Sequence, residues 1–311
     1  MHQIIEVKDL SKQFSGTTVV DRLSFTVYKG DVFGFLGQNG AGKSTTIRML
    51  LTLIRPTSGQ INIFDKDLLH HRSEILSKTG AVIEKPDLYK YLNGWDNLSL
   101  FAKLSGKSFT RKELAKKLGQ VGLENRGGDK VKTYSQGMKQ RLGIAVALVH
   151  DPELIILDEP TNGLDPQGIA DIRNLIQMLS RDENKTILVS SHLLGEMEQV
   201  ANRMLIIDKG KKIVEGSVRE LVDPAKLVLE VETTDNIGCR QKLSETRWHN
   251  QLRKNKPDKL VMDISREDIP LFARNLVEMD VQIISLKPVN SLEEYFLSLT
   301  KDKAYVEAGT N

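Results

Sequence analysis

Residues 37–45 read GQNGAGKST, with three glycines, a lysine and two hydroxyls packed directly behind the apolar run Val32–Leu36. A buried strand that runs into so bare a loop, followed by the apolar periodicity of a helix, leaves few folds open. Glycines let backbone N–H groups converge on an anion with no β-carbon in the way. The start of a helix adds the positive end of its dipole. Gly37, Gly42, Lys43 and Ser44 fit G-x-x-x-x-G-K-[ST], and the strand before and helix after are the context that separates a phosphate loop from a chance match. Gln38, Asn39, Gly40, Ala41 and Thr45 complete the cradle, Lys43 supplies a charge to the β- and γ-phosphates, and Ser44 offers an oxygen to Mg2+. Kinases, GTPases and motor proteins share such a loop, so the rest of the chain has to decide between them.

Three further stretches narrow the choice. LIILDEP (154–160) is a buried strand ending in two carboxylates: Asp158 is placed to hold Mg2+ and Glu159 to accept a proton from an attacking water. SSH (190–192) follows the apolar run TILV and sets His192 at a strand end, where it can reach a γ-phosphate. TYSQGMKQRLG (133–143) puts Ser135, Gln136 and Gly137 at the start of a basic helix, a second anion site. One nucleotide needs one such loop, so the second site makes sense if it serves the ATP of a neighbouring copy.

Apolar runs alternating with helical stretches predict a largely parallel sheet with covering helices over the first 225 residues. A helical region covers about residues 85–150; the stretch from about Trp95 to Gly122 reads helical, and its lysine-rich RKELAKKL reads as a solvated face. From 226 to 302 the order of strands and helices predicts a small separate α/β domain, ferredoxin-like in its sequence of elements, ending in a capped helix SLEEYFLSLT (291–300); residues 303–311 read as a disordered tail. The 311 residues carry a net charge of +3, too little by itself to point to nucleic acid. The lone Cys239 forms no disulfide within the chain and fits a reducing compartment. The opening residues lack the apolar core of a signal peptide, and no stretch approaches the roughly 20 apolar residues of a membrane span. Work at a membrane therefore calls for a separate anchor.

Taken together, the motifs resemble those of the ATP-binding cassette superfamily. GQNGAGKS resembles its Walker A motif, YSQGM its signature, usually written LSGGQ, LIILDE its Walker B, GLDP (163–166) its D-loop, and His192 its switch histidine, in that order within about residues 4–220. The resemblance implies a P-loop NTPase fold with a mixed sheet and a helical subdomain. It also implies ATP and Mg2+ as ligands, and a head-to-tail pair of cassettes in which Ser135 and Gly137 complete the partner's site. Phe14 stands where the family places an aromatic that stacks on adenine, for which a phenyl ring suffices.

Two departures point within the family. The signature keeps only Ser135 and Gly137 of LSGGQ, followed by MKQRLGIA, which is frequent in cassettes of type-2 exporters. Glu84 replaces the usual Gln that touches Mg2+ and the membrane partner, in the text AVIEKPDLYKYLNGWDNL, which resembles bacitracin-resistance and lantibiotic-immunity exporters. A carboxylate binds Mg2+ more tightly than an amide and also repels an anionic γ-phosphate, so the residues leave Glu84 open as a metal ligand. The resemblance implies an ATPase on the cytoplasmic face of a bacterial membrane, bound to an integral permease through the segment from Glu84 to about Leu100 and making no nucleic-acid contact. It would power export of an antimicrobial peptide, drug or related amphipathic compound. A soluble cassette working on ribosomes or nucleic acid and an importer ATPase are the alternatives.

Overall fold

A computed structural model of the chain describes residues 2–221, 227–253 and 260–290. It divides into two compact units, 1–217 and 218–311, with the break earlier than the boundary at 225 expected from composition. The first unit contains β1 (Gln3–Phe14), β2 (Thr17–Tyr28), β3 (Val32–Leu36), α1 (Lys43–Leu50), β4 (Ser58–Ile63), β5 (Lys66–Asp67), α2 (Arg72–Ser77), β6 (Thr79–Val82), α3 (Gly94–Leu104), α4 (Arg111–Gln120), α5 (Gln136–Ala147), β7 (Leu154–Asp158), α6 (Pro166–Arg181), β8 (Thr186–Ser191), α7 (Leu194–Val200), β9 (Arg203–Asp208) and β10 (Lys211–Ser217).

Its strands form two sheets. One is antiparallel, in the order β2-β1-β4-β5; the other runs β10-β9-β3-β8-β7-β6. In the second sheet β3, β6, β7, β8 and β9 are parallel, and β10 closes the edge antiparallel to β9. The expected parallel sheet is thus this second one, with a separate antiparallel sheet beside it. The sequence reports the difference. Along β1 and β2 buried residues are interrupted by exposed ones, whereas all five residues of β3 and of β7 are buried, as strands covered on both faces must be. Phe25 of β2 packs on Phe33 and Phe35 of β3 with ring centres 5.8 and 5.6 Å apart, which binds the two sheets into one core. Each fully buried side chain of this kind contributes about 1.5–3 kcal/mol.

The stretch expected to be helical over about 95–122 forms two helices, α3 and α4. The chain breaks at Gly106, whose φ of +72° suits glycine. It restarts at a capping box in which Thr110 Oγ accepts from the Glu113 N–H and the Glu113 carboxylate accepts from the Thr110 N–H.

The second unit contains α8 (Val218–Leu221), β11 (Leu227–Thr233), α9 (Asn236–Ser244), β12 (Leu260–Asp263), α10 (Ile269–Glu278) and β13 (Ile283–Asn290). β11 lies between β12 and β13 and is antiparallel to both. A ferredoxin-like unit has a further strand on the outer edge of β12. Among the described residues that edge is met by a single bridge, Leu252 to Met262. The core of this unit is formed by Leu229, Val231, Leu243, Trp248, Met262 and Phe272. The helix expected over 291–300 and the tail at 303–311 lie outside the described residues.

Candidate active site

Because β3, β8 and β7 are parallel neighbours, their C-terminal ends share one edge, the place where open α/β sheets bind ligands. Leu36 is in register with Ser191, and Asp158 with Ser190. The phosphate loop, the two carboxylates and the histidine therefore leave the sheet side by side, although they are far apart in sequence.

The loop needs its glycines. A β-carbon at Gly37 would sit 2.6 Å from the Ile207 carbonyl oxygen, and one at Gly42, whose φ is +105°, would sit 2.9 Å from the Val19 carbonyl oxygen. Gly42 is the N-cap of α1 and supplies no side chain to cover the helix's first N–H groups, so they remain available to an anion. Lys43 is 5% exposed. Its ammonium donates to the carbonyls of Gly37 (2.5 Å) and Gln38 (3.1 Å) and lies 3.1 Å from Glu159 Oε1.

Asp158, 1% exposed, ends β7. Its Oδ1 accepts from Ser190 Oγ at 2.6 Å, and its Oδ2 is buried with no hydrogen-bond partner. An orphaned carboxylate oxygen is costly and is the kind of ligand a hard cation takes. Glu159 follows in left-handed backbone at φ +49°, a conformation that costs a glutamate about 1–2 kcal/mol. That turn brings its carboxylate back toward the loop, with Oε1 toward Lys43 and Oε2 2.9 Å from His192 Nδ1, a donor in the tautomer that carries its proton there. The Ser190 hydroxyl fixes both acids at once, since it donates to Asp158 and accepts from the Glu159 N–H at 2.9 Å. Nothing in the text SSH distinguishes this serine from its neighbour. Its role follows from β8 lying against β7.

Other expected residues sit apart from this cluster. Phe14, 45% exposed at the end of β1, carries Lys12 Nζ 4.8 Å above its ring. Ser135 caps α5, its Oγ accepting from the Met138 N–H at 3.2 Å, so the helix start Ser135–Gly137 faces outward with its backbone open. The amide nitrogen of Gln136 lies 3.1 Å from where a β-carbon at Gly163 would stand, so the signature stretch touches the GLDP loop. Asp165 of that loop caps α6, with Pro166 in its first turn. The Glu84 carboxylate, 61% exposed, is held by Arg48 of α1 in an ion pair that the sequence did not signal. Exposed pairs of this kind contribute about 0.2–1 kcal/mol. A cavity of about 410 Å3 lined by Met49, Thr52, Arg55 and Arg72 opens elsewhere, at the other end of α1, and contains none of the expected site residues.

The chain as a whole is similar to known proteins. The family model "ABC transporter" matches residues 20–162. Across 96% of this chain and 97% of its own length, the uncharacterized ABC transporter ATP-binding protein YhcH of Bacillus subtilis is 39% identical. The bacitracin transport ATP-binding protein BcrA of Bacillus licheniformis is 46% identical over 76% of each chain. A solved structure described as the ATP-binding subunit of an ABC transporter superposes with a TM-score of 0.63 at 31% identity, covering 70% of this chain and 91% of that one. The chain therefore belongs to the ATP-binding, ATP-hydrolysing subunits of ABC transporters.

Proposed function

We propose that this chain is the ATPase of an ABC exporter that moves an antimicrobial peptide, a drug or a related amphipathic compound through a separate integral membrane subunit, working as a head-to-tail pair on the cytoplasmic face. The observation that carries the site assignment is Glu159, held between Lys43 and His192 at the shared edge of β3, β7 and β8. The bacitracin transport relative supports the cargo class. The ribosomal and importer readings find no support among the relatives described above.

Residues 37–45 bind the triphosphate through backbone N–H groups, and Lys43 exchanges its two loop carbonyls for phosphate oxygens. Phe14 offers its ring to the adenine. Ser44 and Asp158 would be the oxygen donors that hold Mg2+, which would supply positive charge to offset that of the phosphates. The orphaned Asp158 Oδ2 is the observation that fits it. Glu84 is a further carboxylate that Arg48 holds in this structure. Glu159 takes a proton from the attacking water, and His192 orients that carboxylate and contacts the γ-phosphate. Ser135, Gln136 and Gly137 present a helix start to the ATP of the second copy.

Substituting Glu159→Gln removes the proton acceptor while keeping the shape of the side chain. The variant is expected to bind ATP, to hydrolyse it very slowly and to elute as a dimer in ATP. Parental turnover in that variant overturns the assignment of the base. Recovery of the chain with ribosomes, or with a solute-binding protein, instead of with an integral membrane protein overturns the exporter assignment.

A further inference from the structure

The corner between α3 and α4 gathers charge that the nucleotide site does not use. Residues 85–150 carry thirteen Lys and Arg against five Asp and Glu. The whole chain is nearly balanced at 44 against 41, so the remainder is net negative. Six of those cations, Lys103, Lys107, Arg111, Lys112, Lys116 and Lys117, fall within one stretch, 103–117, in which Glu113 is the sole carboxylate. Glu113 is engaged in the capping box at Thr110. A face that is merely solvated mixes both signs. Here, among the described residues, none of the six cations forms an ion pair.

The corner is built, not a loose arm. The N–H groups of Gly106 and Lys107 donate back to the carbonyls of Lys103 and Ala102, at 3.0 and 2.9 Å, and close α3. On α4, Leu114 and Leu118 are buried one turn apart, while Lys112 and Lys116, also one turn apart, stand on the opposite, exposed face. Arg111 lies 5.0 Å from the centre of the Trp95 ring and Lys117 Nζ 5.1 Å from that of Phe109. Burial lowers the Lys117 pKa; Asp151 and Glu183 oppose this, and Lys107 and Lys185 reinforce it. Both of those carboxylates are taken up elsewhere, Asp151 by Lys185 and Glu183 by Gln120. Leu104, 71% exposed, stands beside Lys103 at the end of α3.

We propose that the α3–α4 corner is a contact surface for anionic lipid headgroups, so that this chain touches a bilayer directly and not only through another subunit. Five of the six cations are lysines. A lysine carries a hydrated point charge on a flexible stem, which suits a diffuse negative surface, whereas ordered phosphates and carboxylates are recognised best by the planar fork of arginine. The lysine stems and the bare Leu104 side chain give the charges an apolar footing among the headgroups. Among the described residues no helix is long and apolar enough to cross a membrane, so the contact is peripheral. It needs neither nucleotide nor permease, and it therefore goes beyond the exporter reading.

The test is sedimentation of the full chain with vesicles of phosphatidylcholine alone or with about one-third phosphatidylglycerol. The parent is expected to bind the anionic vesicles, to leave the neutral ones in solution, and to come off as salt rises from about 0.1 to about 0.5 M. Lys112→Gln with Lys116→Gln, and separately Lys103→Gln with Lys107→Gln, are each expected to weaken anionic-vesicle binding about twenty-five-fold, about fivefold per charge near such a surface. Lys211→Gln with Lys212→Gln, on β10, should bind the vesicles like the parent. ATP affinity should be the same in all four chains, which shows that each is folded. Equal binding to neutral and anionic vesicles, or parental binding in both corner variants, overturns the proposal. An RNA oligonucleotide that binds the parent more tightly than the vesicles do, and is released by the same corner substitutions, makes nucleic acid the partner and also overturns it. A parent that binds the vesicles but no ATP overturns the reading of residues 37–45 and leaves this proposal standing.

Discussion

The shared edge of β3, β7 and β8 and the small sheet of the second unit are both built from strands and helices packed on an apolar core, yet they treat polar groups in opposite ways. In the second unit the buried indole of Trp248 donates to Asn275 Oδ1 at 3.1 Å and meets Phe272 edge-on, with ring centres 5.1 Å apart. Arg253 engages both oxygens of Asp263. Burial pushes the Cys239 thiol pKa up, keeping it neutral and inert. Among the described residues there, the buried side-chain atom without a partner is the neutral Gln251 Oε1. At the strand edge of the first unit an ammonium and a carboxylate are nearly excluded from water, Asp158 Oδ2 has no donor, and Glu159 is held in left-handed backbone. At those strand tips the broken rules fall on buried charges, whose missing partners a substrate can supply. Among its described residues the second unit has one left-handed non-glycine residue, Asp280, and a buried unpartnered oxygen on a neutral amide, and neither is a buried charge.

Substitutions separate the two regions most sharply. Trp248→Ala opens a cavity in the second core and is expected to cost about 3–5 kcal/mol there, read as an early thermal transition. ATP hydrolysis below that transition should match the parent, and a matching loss of hydrolysis would mean that the second unit shapes the site. Lys43→Met acts in reverse. It removes the buried ammonium and is expected to weaken ATP binding by about 2–5 kcal/mol, measured by titration, while the transition of the second unit stays in place. Ser190→Ala is smaller. It leaves Asp158 Oδ1 and the Glu159 N–H without their shared partner, for an expected loss of about 1–3 kcal/mol in the melting of the first unit. Hydrolysis should fall with it, and unchanged hydrolysis would show that the two acids hold their places unaided.

The contrast also marks what could be read from the amino acids. GQNGAGKST, LIILDE and SSH each combine a buried run with polar residues at its end, so strand, direction and chemistry are written in contiguous text. Parallel strands then place all such ends on one edge. The lateral order of the strands was not legible, because periodicity reports which face a residue buries and not which neighbour it meets. Hence the double role of Ser190 and the grip of Arg48 on Glu84 appear only in three dimensions. The break at Gly106 between the two helices of the stretch expected to be helical is written locally, in a glycine followed by T-x-x-E. In the second unit the strands carry short patterns, and the single bridge at Leu252 leaves almost no periodicity to detect.

His150 tests whether the broken rules of the first unit are confined to the strand tips. It follows α5 at the opposite end of the sheet, with Nε2 3.2 Å from the carbonyl oxygen of Thr79, the first residue of β6, and Nδ1 buried without a partner. Burial lowers its pKa from the ordinary 6.5; the Thr79 carbonyl opposes that, Lys107 and Lys117 reinforce it, and Asp151, itself paired with Lys185, opposes it weakly. The folded chain therefore takes up this proton less readily than the unfolded chain. The associated stability is fully present above pH 6.5 and is lost as the pH falls through the lower folded-state value. Melting of the first unit is expected to shift downward on acidification from about pH 7.5 to about 5.5, and His150→Gln, which cannot titrate, is expected to flatten that slope. ATP binding at neutral pH should be the same in both chains, since this histidine stands at the foot of the sheet. A variant that keeps the acid slope would show that His150 does not set it.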